Sequence, residues 1–417
     1  MSDTVSRREF VKSGSAVTAA VLAGAPMVHA GGQDTITAGV IGCGGRGTGA
    51  MENFLDSSPN VRITTMGDMF PDRIKNSFNQ LKKSGKEGFK VEEDALFTGI
   101  DAYKKVLDSG VNMVILATPP GFRPVHFKAA IDAGKHVFFE KPVAVDPVGV
   151  RMVIEAGKVA KEKKLAVVAG TQRRHQKEYI ETMQQIHEGK IGDIVAGRAY
   201  WNGNKPWSRK REPGQDDLTY QLKNWYNFPW LCGDHIVEQH IHNLDVIQWA
   251  MRANPVNCVA VGGRQSYIEE EHGVIYDHFG VDYEYPNGVH IMSMCRHWPN
   301  SPGNVSEAVV GTKGKSNCSN SIEVFGGERW KAPGGGKNAY VQEHTDLVAS
   351  IRNGNPLNEA EQVANSTLVA IMGREAAYTG QLLKWDEFMK SDLRLMPENV
   401  TNETVPPAKV PRPGKKA

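Results

Sequence analysis

Residues 36–47 read ITAGVIGCGGRG, an apolar run that breaks into glycines, and this dozen constrains the fold more than any other stretch of the chain. Gly42, Gly44 and Gly47 stand in G-x-G-x-x-G spacing, with Gly45 between them, where a buried strand turns into a helix. Gly42 permits the tight turn, Gly44 lets a pyrophosphate approach bare backbone, and Gly47 lets the helix pack close to the strand. The helix start then offers unpaired N–H groups and a partial positive charge to phosphates. Many strand-to-helix turns share such glycines and bind nothing, so context decides. A second apolar run, 61–66, ends at Gly67-Asp68, the interval at which a ribose-binding carboxylate is expected.

At 417 residues the chain exceeds the size of a single growing core, so two domains are expected. The net charge of +2, with acids and bases mixed, argues against nucleic acid as a partner. Five cysteines, at 43, 232, 258, 295 and 318, show no C-x-x-C spacing, so neither a zinc cluster nor a disulfide framework is expected.

Residues 1–30 read as a twin-arginine signal peptide. Ser6-Arg7-Arg8-Glu9-Phe10-Val11-Lys12 precedes a mildly apolar stretch from Ala16 to Ala25, and Val28-His29-Ala30 suits cleavage. The stretch is too short and too rich in small residues for a stable membrane anchor. The expectation is export through the twin-arginine machinery, to the periplasm or otherwise outside. That machinery carries folded proteins, so a dinucleotide would have to leave already bound and stay tightly bound.

From 34 to 172, apolar runs near 36–41, 61–67, 111–117, 136–139 and 165–170 alternate with helical patterns, which implies an α/β domain with a doubly wound parallel sheet. Residues 84–97 break the rhythm as a surface excursion. From 173 to 395 the pattern becomes α+β. One helix near 175–188 precedes alternating strands at 193–201, 256–265, 277–285 and 289–298, with Pro286-Asn287-Gly288 as a hairpin turn. This predicts an open, mostly antiparallel sheet, followed by helices near 338–352 and 365–379. The Pro- and Lys-rich tail, 396–417, is expected to be poorly ordered or to lie along a neighbouring surface.

Two strand ends fall at the carboxyl edge of the first sheet, where ligands bind: Thr118-Pro119 and Glu140-Lys141-Pro142. Lys141, partly desolvated there, can hold a substrate hydroxyl; the alternative is a strand-end lysine paired with Glu140. The segment 233–245 is expected to open a helix running to about 251, with Glu238, His242 and Asp245 on one face. A carboxylate beside His242 would set its tautomer and make it a proton acceptor. The alternative is that these histidines only cap and solvate the helix. H-E-x-x-H is absent, so no metal is expected. Trp201, Trp207, Trp225, Tyr226 and Trp230 are either core or a stacking wall for a sugar ring.

In this order, the glycine fingerprint, Asp68, Thr118-Pro119, Glu140-Lys141-Pro142 and a carboxylate four residues before a helical histidine resemble the glucose-fructose oxidoreductase and inositol dehydrogenase family, Gfo/Idh/MocA. The resemblance runs from about 36 to about 385. It implies that residues 34–172 are an N-terminal Rossmann domain with a bound NAD or NADP, and that Lys141 and His242 act on a hydroxyl of a sugar or polyol. It also implies an open sheet used for contacts between copies, as a dimer or tetramer. The cofactor set is then Gly42, Gly44, Gly45, Arg46, Gly47, Asp68, Arg73, Thr118, Pro119, His126, Glu140 and Lys141. Lys141, Arg173, Trp225, His242 and Asp245 would meet substrate, and Glu238 would assist catalysis where the family commonly has aspartate. Asp68 favours NAD, whereas Arg46 or Arg73 can accept a 2′-phosphate. Two functions follow: an oxidoreductase transferring hydride between the nicotinamide and a hydroxyl, or a redox-neutral cleavage or isomerisation of carbohydrate through transient oxidation.

Overall fold

The computed structural model describes residues 35–414, so the expected export signal lies outside the described residues. The first half forms β1 (Ile36–Ile41), β2 (Val61–Asp68), β3 (Leu96–Thr98), β4 (Met113–Leu116), β5 (His136–Phe139) and β6 (Val167–Ala169). All pair parallel, in the order β3-β2-β1-β4-β5-β6. Between them run α1 (Gly45–Ser57), α2 (Pro71–Ser84), α3 (Ala102–Asp108), α4 (Arg123–Asp132) and α5 (Pro147–Glu162). Strands buried on both faces explain the unbroken apolar runs: Met113, Val114, Ile115 and Leu116 are wholly buried. The order reverses between β1 and β4, which opens a crevice at their carboxyl ends.

The second half begins with α6 (Lys177–His187) and β7 (Ile194–Gly203). Then come α7 (Asp217–Lys223), α8 (Pro229–Cys232), α9 (His235–Glu238) and α10 (Ile241–Met251). Its sheet adds β8 (Asn257–Gly263), β9 (His278–Tyr285), β10 (Val289–His297), β11 (Asn304–Gly311), β12 (Gly314–Ser316), β13 (Ser321–Val324), β14 (Arg329–Lys331) and β15 (Leu383–Lys384). Nine strands run β14-β13-β12-β11-β7-β10-β9-β8-β15, antiparallel except that β10 and β7 pair parallel. The Pro286–Gly288 turn joins β9 to β10 with Asn287 at φ 67°. Residues in β10 alternate between buried and exposed, so one face of the sheet packs on helices and the other is open.

Two helices close the structure, α11 (Ala339–Arg352) and α12 (Ala360–Thr379), the latter capped by Gly380 in the left-handed region. α11 returns to the first half, where Leu347 and Val348 join the core of α1 and β1. α12 lies between α5 and the second sheet and is buried along most of its length. The tail lies along the chain's own surface. The Leu395 and Met396 N–H groups donate to Asp146 Oδ2 at 2.8 and 3.2 Å, and the Tyr276 hydroxyl donates to the Pro411 carbonyl at 3.0 Å. All five cysteines are free and buried, and no helix among the described residues is long and apolar enough to cross a membrane.

Candidate active site

The glycine turn works by close approach. Gly42 has φ 98°, and a Cβ there would lie 2.6 Å from the Ala117 carbonyl carbon; one on Gly47 would lie 1.8 Å from the Gly42 oxygen. Gly45 faces open space, and no side chain caps the start of α1, which leaves its first N–H groups available to an anion. Asp68 closes the turn from below: Oδ2 accepts the Cys43 N–H at 2.7 Å and Oδ1 the Phe70 N–H at 2.9 Å.

These groups border a cleft of about 830 Å³, mouth included. Gly44, Arg46, Asp68, Arg73, Thr118 and His126, all in the expected cofactor set, line it. Its other walls are apolar: Phe70, Ile100, Tyr103 and Phe122 from the first half, Leu222 and Trp225 from the second. Trp225, expected beside the substrate, lines the same cleft as Asp68 and Thr118. None of the first-half four carries a local signal beyond its place near a strand end. His126 hydrogen-bonds Thr118 Oγ1 at 3.2 Å and packs against Tyr103 and Phe122 with ring centroids 4.4 and 5.8 Å away. Burial, then the Arg123 charge, push His126 down to about 3, so it is a neutral wall of the cleft.

Glu140 at the end of β5 accepts from Arg46 Nε at 2.6 Å, and the Arg46 guanidinium lies 5.2 Å over the Tyr340 ring. Lys141 is therefore not paired with Glu140. Its ammonium donates to the Glu238 carbonyl at 2.6 Å and to Glu238 Oε1 at 3.2 Å, both side chains being largely buried. Burial raises the Glu238 carboxyl above its ordinary value, against the pull of Lys141 and Arg123. Arg123, missed in the sequence, donates to the carbonyls of Thr118 and Pro142 and so ties the two functional strand ends together. Only its burial reveals that role.

The expected single helix through Glu238, His242 and Asp245 is two. α9 ends at Glu238, and the His240 N–H reaches back to the His235 carbonyl at 3.2 Å while its ring bonds Ser293 Oγ at 2.8 Å on β10. This anchored wide turn separates the three side chains. No hydrogen bond among the described residues joins Glu238 to His242, so the carboxylate orients Lys141, not the imidazole. Asp245 is also displaced from the expected substrate set: it holds Arg174 through both oxygens at 2.9–3.1 Å, and Ser366 Oγ at 2.7 Å. Arg173 is engaged by Glu307, which also accepts from Asn243 Nδ2 at 2.6 Å.

His242 lies near enough to Lys141 and Arg173 for their charges to act on it. Its ring stacks on Trp201 at 5.8 Å, which gives that tryptophan a packing role. Burial, then the charges of Lys141, Arg173 and Arg46, hold the imidazole well below its ordinary pKa. A neutral imidazole close to an ammonium is a pair able to accept a proton and to hold the oxygen that loses it. No cluster among the described residues has the make-up of a metal site.

This is a two-domain architecture whose first half has the form of a dinucleotide-binding domain. Residues 36–171 match the family model described as oxidoreductase family, NAD-binding Rossmann fold, and residues 179–316 match the GFO/IDH/MocA C-terminal domain; the chain belongs to the Gfo/Idh/MocA family. It is 26% identical over 257 residues to 2,7-anhydro-N-acetylneuraminate hydratase of Escherichia coli, covering 61% of this chain and 59% of the relative. It is 26% identical over 236 residues to inositol 2-dehydrogenase of Salmonella typhimurium, covering 56% and 60%. The chain thus spans about three fifths of the length of these curated relatives. The fold is shared with scyllo-inositol dehydrogenase from Lactobacillus casei, solved with NAD(H) and scyllo-inositol, at TM-score 0.64 and 19% identity over 84% of this chain and 99% of that one.

Proposed function

We propose that this chain is an oxidoreductase that moves a hydride between a tightly held nicotinamide dinucleotide and a hydroxyl of a sugar or polyol. One observation carries it: the Lys141 ammonium, at the carboxyl end of β5, is hydrogen-bonded to Glu238 at the turn from which the His242 helix starts. Lys141 donates to the substrate oxygen, and His242, neutral beforehand, takes the hydroxyl proton. Glu238 fixes the direction in which the ammonium points. When bound, the nicotinamide supplies the hydride acceptor. Gly42, Gly44, Gly45 and the start of α1 hold the pyrophosphate, and Asp68 faces the adenosine ribose.

Slow cofactor release is supported by the roof of Leu222 and Trp225, backed by Tyr220, Phe228 and Trp230 with Leu395, Met396 and Val400 of the tail. Such retention suits export by the twin-arginine route, which residues 6–12 support. Association into a dimer or tetramer is supported by the open sheet face, where Val259, Val261 and Met292 are 45%, 73% and 48% exposed. The hydratase among the relatives favours one second reading, a redox-neutral reaction through transient oxidation.

The test is turnover on a sugar and polyol panel with NAD and with NADP. Reduced cofactor accumulates if the reaction is a net oxidation; changed carbohydrate without it indicates the second reading. Lys141→Ala and His242→Ala each lower turnover by about 10²–10⁴-fold. Native rates in both variants refute the site. Subcellular fractionation and light scattering test export and association.

A further inference from the structure

A second cavity, of about 1020 Å³ with its open mouth included, lies beside the dinucleotide cleft, and the two share Arg73. One wall is the start of α2, with Asp72 and Arg73; the other is the loop between β7 and α7, which brings Arg209 and Lys210 across from the second half. Lys223 at the end of α7 completes it, with its ammonium 5.9 Å from the Phe70 ring that also lines the main cleft. Two carboxylates, Asp72 and Glu212, face these four cations, and Glu212 lies 3.8 Å from Lys223. Among the described residues Arg209 and Lys210 form no ion pair, and Arg73 rests on the Phe70 ring at 5.4 Å. Counted over its lining, the pocket carries an excess of two positive charges, which draws an anion and suits a phosphate dianion.

The pocket begins where Asp68 marks the end of the adenosine ribose. Asp68 itself opposes a phosphate there, but both its oxygens already accept backbone N–H groups, which disperses its charge. We infer that this pocket takes the 2′-phosphate of NADP, with Arg209 and Lys210 supplied by the second domain to select it over NAD. The inference rests on the dinucleotide reading above.

The full chain is incubated with equimolar NAD and NADP, freed of unbound nucleotide, denatured, and the released nucleotides are measured by mass spectrometry. The expected result is an NADP-to-NAD ratio of at least about ten, falling about 10–100-fold in Arg209→Ala/Lys210→Ala and further in Arg209→Glu/Lys210→Glu. The native preference also shrinks at high salt. A native ratio at or below one, or a ratio unmoved in both variants, overturns the inference while leaving the dinucleotide reading intact. Release of neither nucleotide from the native chain overturns that reading itself, and this inference with it.

Discussion

Asp245 gives the sharpest test of whether its place in this structure is understood. Substitution by alanine removes both carboxylate oxygens from Arg174, whose Nε and Nη2 lie 2.9–3.1 Å from them, and also strands Ser366 and Gln362. The pair is nearly enclosed, with side-chain exposures of 15% and 2%. Removing one partner of a buried pair costs about 3–5 kcal/mol because the other charge is left uncompensated. At about 2.1 cal/mol/K per residue, roughly 380 folded residues give an unfolding entropy near 0.8 kcal/mol/K, so Tm falls by ~5 °C. Differential scanning calorimetry reads this directly, alongside KM and kcat well below the transition. An unchanged Tm with a raised KM refutes the reasoning and returns Asp245 to the substrate.

Because His242 is neutral well below its ordinary pKa, kcat/KM stays flat as pH falls from about 8 to 5; a drop governed by a group near 6.5 refutes the assignment. His175 behaves oppositely: burial alone would lower it, but the hydrogen bond to Asp346 at 2.7 Å and the Glu359 carboxylate 3.2 Å from Nε2 push it up to about 10. Its contribution to stability is therefore fully present below about pH 6.5 and lost as pH rises through 10. The urea midpoint of native chain falls over that window relative to His175→Gln; parallel curves refute it. Gly47→Ala, whose Cβ would meet the Gly42 carbonyl oxygen, costs about 1–3 kcal/mol and abolishes nucleotide retention, and native retention in that variant refutes the turn's role.

The parallel sheet was legible in the sequence because buried strands announce themselves as short apolar runs ending in glycine, proline or acid, and β1 and β5 lie within the stated limits. The pairing of β9 and β10 followed from Pro286-Asn287-Gly288 in the same way. The strands β12, β13 and β14, three or four residues each, were not, since so short a run has no measurable alternation and exists through its neighbours' hydrogen bonds. The site divided along the same line. Residues set by local backbone, such as Gly42, Asp68 and Lys141, stood out. Partnerships across the chain did not: Asp245 with Arg174 is 71 positions apart, and Lys141 with Glu238 is 97. Helical spacing misassigned Glu238 because the turn at His240 is pinned by Ser293, a residue 53 positions away on another element.

The final stretch of chain stitches Asp146 on the first half to Tyr276 on the second. A molecule sewn shut along one side can yawn only along the other. Parting the two halves on the stitched side therefore means breaking the tail's hydrogen bonds to Asp146 or to Tyr276.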